Sequence, residues 1–557
     1  MKHGIERSPA RRRRAPALAV AGCILALFTG SSTAHGAQTS AMAATVVERL
    51  AADAITEVLA LLPSRSGARE DPTIVRIETG LVQGVELEPG LRAYRGIPYA
   101  APPIGALRWR PPQPAASWEG VRAALESGPA CPQSPLIAFL SGEPLPATSE
   151  DCLHADVLTG ASADEKLPVI VWIHGGGFVG GWGYQKVYDG RSLGRRGVVF
   201  VSFQYRLGPL GFFAHPELSA EDPAGASGDY GLLDQLALLG WVQRNIAAFG
   251  GDPESVTVLG ESSGATSVLA LCASPLARGL FQRAIVESPW ITHENFAPLD
   301  DAERAGRALA ATLGAEDLAR LRALGADELW QKLGATYQPV VAIDGRVLRD
   351  HPLCVFARGE SLDVPLIVGT TADEGTVFRD LFPWKTAEEL ARGFDERYGA
   401  AASELRELYP VPLDDQAAVA RSIARWITDD WFVRGARTML DGMTHVPARA
   451  WQYEFTRASP SWPALGAHHA VELPFVFGTL ASPTSADRVL ADAIQDAWVR
   501  FATTGDPNGA GLPEWPSYEA GEERYLELGA TIAVRSALRR EACRTLDRLD
   551  PIVEIDR

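Results

Sequence analysis

Six short runs of apolar, largely β-branched residues constrain the fold of this chain more than any other feature: PVIVWIH (168–174), GVVFVSF (197–203), SVTVLG (255–260), AIVES (284–288), VPLIVGT (364–370) and ARAWQYEF (448–455). Strands exposed on one side alternate apolar and polar residues, whereas runs this uniformly apolar belong to strands covered on both faces. Between them, residues 230–249 and 264–273 read as helices. Strand and helix in alternation predict an α/β fold, with a mostly parallel central sheet and helices on both faces. Such a sheet sets its chemistry at the carboxyl ends of its strands.

The chain has 557 residues, 46% of them hydrophobic, and no internal repeat. That composition excludes wholesale disorder, and the length suits one large α/β domain, expected over 72–557. The preceding residues have a different character. Arg11 to Arg14 are followed by an apolar run from Ala15 to Thr29 and then by SSTAHGA. A basic start, an apolar core too short to span a bilayer and small residues after it describe an export signal over 1–37, with Ala34 and Ala37 both fitting the cleavage site. The expected destination is periplasmic or secreted. Val20-Ala21-Gly22-Cys23 has the form of a lipoprotein box, but the apolar run continues past Cys23, which disfavours a lipid anchor there. Residues 38–71 carry Val46, Val47, Leu50, Ile55, Val58, Leu59 and Leu62 at helical spacing before Pro63, and are expected to form a helical extension and linker.

The formal net charge is −17, and residues 1–37 contribute +5 to it, which leaves −22 on the rest. A surface that negative repels phosphate backbones and anionic lipid, so nucleic-acid binding is not expected. Neutral or cationic small molecules fit better, and no stable membrane span is expected. Besides Cys23 the chain has Cys131, Cys152, Cys272, Cys354 and Cys543, and no spacing among them suits a metal site. The Pro- and Ser-rich segment between Cys131 and Cys152 is one that a disulfide can close in an oxidising compartment, while the other three offer no pair.

Two segments match G-x-S-x-G: Gly190-Arg191-Ser192-Leu193-Gly194 and Gly260-Glu261-Ser262-Ser263-Gly264. The pattern alone decides nothing, since a glycine-rich chain of this length produces it by chance. Context does decide it. The chemistry needs a serine on a strained turn between a strand and a helix, where the hydroxyl stands clear of the backbone. Ser262 follows SVTVLG and precedes an Ala/Leu helix, whereas Ser192 follows a loop and precedes a strand. Ser262 is therefore the expected nucleophile. Attack by a hydroxyl on a carbonyl builds an oxyanion that needs donors. His174-Gly175-Gly176-Gly177-Phe178 supplies bare amides after the strand PVIVWIH, so Gly176 and Gly177, with the amide of Ser263, are the expected oxyanion hole. His174 is read as an anchor of this loop.

The chain resembles the type-B carboxylesterases, the carboxylesterase and cholinesterase family of α/β-hydrolases, from about residue 74 to the C-terminus. The resemblance rests on AYRGIPYAAPPIGALRWRPP (93–112), EDCLHADV (150–157), WIHGGGF (172–178), YRLGPLGFF (205–213), the long segment GDYGLLDQ to GESSGA (228–265), GTTADEGTVF (369–378) and GAHHAVELPFVFG (466–478). It implies the α/β-hydrolase fold and serine-dependent hydrolysis of small-molecule carboxylic esters through a covalent acyl-enzyme, with no cofactor. By the family's D-E-G turn the catalytic acid is Glu374, with Asp373 the adjacent rival. By its H-x-x-E-L segment the base is His469, with His468 as the neighbour. Cys131 and Cys152 correspond to the family's first disulfide, Arg108 and Glu150 to a structural ion pair, and Ser288 to a serine near the triad. The family's usual Q-S-G reads Glu287-Ser288-Pro289 here, a departure that puts the role of Ser288 in doubt. The loop between Cys131 and Cys152 has Phe139 as its one aromatic, where cholinesterases place a tryptophan for a quaternary ammonium, so choline esters are disfavoured. An interfacial lipase of the same fold and a non-catalytic cholinesterase-like binding protein are the competing expectations.

Overall fold

The computed structural model describes residues 71–553 apart from 163–164, 316, 334–336 and 412–414. The expected export signal and, but for Asp71, the expected helical extension lie outside the described residues. The main sheet has eleven strands: β1 (Val85–Glu88), β2 (Leu91–Pro98), β3 (His154–Thr159), β4 (Leu167–Ile173), β5 (Val199–Phe203), β6 (Gly251–Glu261), β7 (Arg283–Glu287), β8 (Leu366–Thr371), β9 (Ala450–Phe455), β10 (Arg524–Leu528) and β11 (Ile532–Ser536). Their spatial order is β11-β10-β9-β8-β7-β6-β4-β5-β3-β2-β1. All six apolar runs are strands of this sheet. The pairings from β10 through β9, β8, β7, β6 and β4 to β5 are parallel. Beyond them β11 on one side and β3, β2 and β1 on the other pair antiparallel, so the parallel core expected from the sequence is flanked by antiparallel edges.

Helices cover both faces because side chains alternate along each central strand. In β4, Val169, Val171 and Ile173 pack with Leu232, Leu239 and Val242 of α1 (Tyr230–Asn245) and with Val268 and Leu271 of α2 (Ser263–Ala273). Ile170 and Trp172 of the same strand face Ile494, Trp498 and Phe501 of α3 (Ser485–Thr504). Each such side chain contributes about 1.5–3 kcal/mol when fully buried, so the alternation fixes which way every strand end points. The sequence run expected as one helix over 230–249 ends its α-helical part at Asn245 and tightens to a 3₁₀ turn over Ile246–Phe249, stopped by Gly250 in the left-handed region at φ 78°.

Two polar links tie the loops above the sheet to this core. Arg206, just past β5, lies buried against Asp234 of α1 with Nε to Oδ2 at 2.8 Å and Nη2 to Oδ1 at 2.7 Å, while its backbone N–H donates to Oδ2 at 3.0 Å. Removing one partner of such a pair costs about 3–5 kcal/mol, because the other charge is left buried alone. Next to it the Tyr205 hydroxyl donates to the carbonyl of His174 at 2.8 Å and so pins the start of the glycine loop. Cys131 and Cys152 are joined in a disulfide with a sequence separation of 21; closing a loop of that size removes about 3 kcal/mol of unfolded-state freedom. Cys272, Cys354 and Cys543 are buried. Among the described residues no helix is long and apolar enough to cross a membrane.

Candidate active site

Ser262 stands between β6, which ends at Glu261, and α2, which begins at Ser263. Its backbone is at φ 58°, ψ −126°, a region that costs a residue with a Cβ about 1–3 kcal/mol. The turn is held from both sides. The Ser262 N–H donates to the carbonyl of Glu287 at 3.0 Å, and a Cβ on Gly264 would stand 2.1 Å from the carbonyl oxygen of Ile173. Only glycine lets α2 start this close to β4. The other G-x-S-x-G match is built differently: Ser192 lies within a short helix, Arg191–Arg195, with its hydroxyl bonded to Gln495.

Glu374 follows β8 in a 3₁₀ turn, Glu374–Val377, and is fully buried. Its Oε1 accepts the N–H of Thr371 at 2.7 Å, and its Oε2 lies 2.6 Å from Nδ1 of His469. The other ring nitrogen of His469, Nε2, is 3.1 Å from Oε1 of Glu261, the residue before Ser262. Asp373, the adjacent carboxylate, instead accepts the backbone N–H of Ala467 at 2.9 Å and braces the loop that carries the histidines. His468 is turned away: its Nδ1 lies 2.8 Å from the carbonyl of His469, its ring packs by Trp462, and burial lowers its pKa.

The glycine loop leaves β4 at His174. That imidazole is fully buried, stacks on Tyr205 with ring centroids 4.5 Å apart, and burial brings its pKa down to about 4, so it is neutral and suited to anchoring. Gly176 has φ 110°, and a Cβ there would meet the carbonyl oxygen of Gly180 at 2.0 Å. Among the described residues neither the Gly176 nor the Gly177 N–H has an acceptor in the protein. The loop abuts α2, where the Ser263 hydroxyl accepts the Phe178 N–H at 3.1 Å. Eight non-glycine residues among those described have positive φ, and four of them, Phe178, Ser262, Ser288 and Ala470, lie in these segments. Strain gathers where a fold holds a reactive arrangement.

The sequence profile described as the carboxylesterase family matches residues 71–546. The chain belongs to the carboxylesterase family. It is 38% identical over 475 residues to a fumonisin B1 esterase of Sphingopyxis macrogoltabida, covering 81% of this chain and 85% of that one. It is 37% identical over 491 residues to a para-nitrobenzyl esterase of Bacillus subtilis strain 168, covering 83% and 96%. A solved structure titled PNB esterase superposes with a TM-score of 0.76 at 35% identity, covering 86% of this chain and 99% of its own. This carboxylesterase therefore has the α/β-hydrolase fold and is a serine-dependent carboxylic ester hydrolase.

Further features of this carboxylesterase bear on the site. Arg108 and Glu150 form a largely buried ion pair, with Nε to Oε2 at 2.7 Å, and Nη1 of Arg108 also donates to the carbonyl of Arg322 at 3.1 Å, as befits a structural brace. Of the aromatics near the motifs, Phe178 and Trp182 are buried core. Phe378 instead lies 5.2 Å from the ring of His469, and Phe432 lies 4.8 Å from it. Trp431 continues this wall to Trp290 and Phe378. Phe432 and Trp431 come from a π-helical turn, Thr428–Val433, that sequence reading did not single out, because TDDWFV reads as a piece of surface helix. Sequence reading also passed over three carboxyls. Glu261, Glu287 and Glu472 are all buried beside the site. Burial, reinforced by the neighbouring Glu374 and Glu287 charges, holds the Glu261 carboxyl well above the usual carboxylate range; Glu472 is raised by burial and then by Glu261 and Glu287. For Glu261 and Glu287 the signal in the sequence was a charged residue closing an apolar strand.

Proposed function

We propose that this hydrolase is an exported enzyme that cleaves neutral carboxylic esters by two-step acyl transfer through Ser262, Glu374 and His469. His469 takes the proton of the Ser262 hydroxyl as that oxygen attacks the ester carbonyl carbon. The amides of Gly176, Gly177 and Ser263 receive the oxyanion, and Glu374 fixes the imidazole's tautomer and offsets the charge it gains. The tetrahedral intermediate expels the alcohol, protonated by His469, and leaves an acyl-enzyme on Ser262. Water, deprotonated by the same imidazole, attacks that ester and releases the carboxylic acid. The observation that carries this reading is the 2.6 Å contact of His469 Nδ1 with Glu374, with Nε2 3.1 Å from Glu261, the residue before Ser262. Catalytic hydrogen bonds commonly tighten only when substrate binds.

The aromatic wall of Phe378, Trp431 and Phe432 beside His469 favours esters with an apolar or aromatic group on one side of the carbonyl. The relatives named for fumonisin B1 and para-nitrobenzyl esters are in keeping with that breadth. In a panel of neutral esters varied separately in acid and alcohol, with acyl chains from acetate to palmitate, hydrolysis is expected on soluble short-chain members below their aggregation point. A rate that appears only above that point would assign an interfacial lipase instead. Export is supported by the basic and apolar start of the chain together with the disulfide. Mass spectrometry of the enzyme recovered from its producing cells is expected to find the N-terminus after Ala34 or Ala37, and a retained Met1 would contradict export.

A further inference from the structure

β7 ends at Glu287, and Ser288 and Pro289 follow it. Glu287 puts a carboxyl at the carboxyl end of that strand, in register with Glu261 on β6 and fully buried. The surroundings of Glu287 come from every element packed on that strand end. α3 contributes Trp498, whose indole N–H donates to Oε1 at 2.8 Å. β9 contributes Tyr453, whose ring fills the space above Gly369 of β8, the residue paired with Glu287. Glu374 follows β8, and Glu472 arrives with the histidine segment and accepts the Ser288 hydroxyl at 3.4 Å. His469 is the cation-forming group that contacts the cluster, through Glu261 and Glu374. Among the described residues no lysine or arginine pairs with Glu261, Glu287 or Glu472, and no group there is arranged to hold a metal ion. Among the described residues, buried Oε2 of Glu287, Oε2 of Glu472 and the hydroxyl of Tyr453 have no hydrogen-bond partner.

Four buried carboxyls, of which only Glu261 and Glu374 meet the imidazole, cannot all be ionised, because each uncompensated charge there is costly. Among the described residues Glu287 touches no cation and its single donor is a neutral indole, so nothing at its side chain compensates a charge. We propose that Glu287 is a positioning residue of this esterase, a neutral carboxylic acid behind Ser262 and His469 that limits the negative charge of the cluster, and whose ionisation in alkali slows acyl transfer. Its backbone carbonyl holds the Ser262 N–H, so a charge on its side chain is carried by the strand end that braces the nucleophile's turn, where it opposes the negative charge that the substrate oxygen gains. Burial pushes the Glu287 carboxyl up to about 8, against the pull of the Trp498 donor. The same ionisation acts on stability. A carboxyl raised in the folded state contributes stability that is intact below its ordinary value of 4.5 and is lost as pH rises toward about 8.

The inference rests on the roles proposed for Ser262 and His469, and the experiment separates the two. kcat/KM for a short soluble ester, followed by titration at fixed pH, is expected to fall in the wild type above about pH 8, approaching about tenfold per pH unit. Glu287→Gln keeps the shape and the acceptor for Trp498, and is expected to hold its rate through that range and to melt higher than wild type by a margin that widens from about pH 5 to about pH 8. Trp498→Phe removes the donor that favours the carboxylate, and is expected to move the fall upward by about one pH unit. A Glu287→Gln profile with the wild-type alkaline limb, or one lowered by the same factor at every pH, overturns the proposal and leaves the hydrolase reading standing. A Ser262→Ala blank as active as wild type sinks both.

Discussion

Ser262→Ala is expected to lose ester hydrolysis by roughly 10⁶-fold in kcat, the scale seen when a triad serine is removed from a hydrolase. The loss should come without unfolding. Alanine keeps the Cβ in the same backbone conformation, so stability is expected to stay within about 0.5 kcal/mol of wild type. Ser262→Gly should be equally inactive yet more stable by about 1 kcal/mol, because glycine relieves the strain of φ 58° at that turn. Rapid mixing with an ester whose alcohol absorbs light gives the check: wild type is expected to release one equivalent of alcohol per site in a burst when deacylation limits, and neither variant any burst. Intact mass should show the acyl adduct on wild type alone. Were Ser192→Ala the inactive variant, the strand-to-helix argument for choosing between the two G-x-S-x-G matches would be wrong.

That argument worked from the sequence because the elbow is a local device. A buried strand, two glycines and a helix are contiguous, and Gly264 is required by an approach to Ile173 that any such turn makes. The six apolar runs were legible for a similar reason, since strands covered on both faces lose the alternation that makes other strands ambiguous. The edge strands were not. VELE in β1 and IAVRS in β11 are short and half-exposed, and their pairing is set by neighbours distant in sequence. The choice between His468 and His469 needed the family pattern, because adjacent residues share every local property. In the fold the two rings diverge, one to Glu374 and one to Trp462. Phe432 and the carboxyls Glu261, Glu287 and Glu472 stayed hidden for a different reason: a charged or aromatic residue reads as solvated surface or plain core until strand register and a π-helical turn show what it faces.

The second large effect is expected at the acid and base. His469→Ala should approach the loss of Ser262→Ala, and combining the two should cost little beyond either alone, because residues that act as one unit are non-additive. Glu374→Gln tests the pairing more sharply. The amide preserves the shape of the buried turn but can present its NH₂ to Nδ1, which favours the tautomer with the proton on Nε2, the nitrogen that must accept from Ser262. A drop of roughly 10⁴-fold in kcat with KM nearly unchanged is the expected result. The neighbours are the controls. Asp373→Asn loosens a bond to the Ala467 backbone and His468→Ala removes a ring turned toward Trp462, so both are expected to stay within about tenfold of wild type, the scale of a loosened brace and not of a lost proton carrier. If His468→Ala were dead and His469→Ala active, the imidazole at 2.6 Å from Glu374 would not be the base, and that contact would be a structural one.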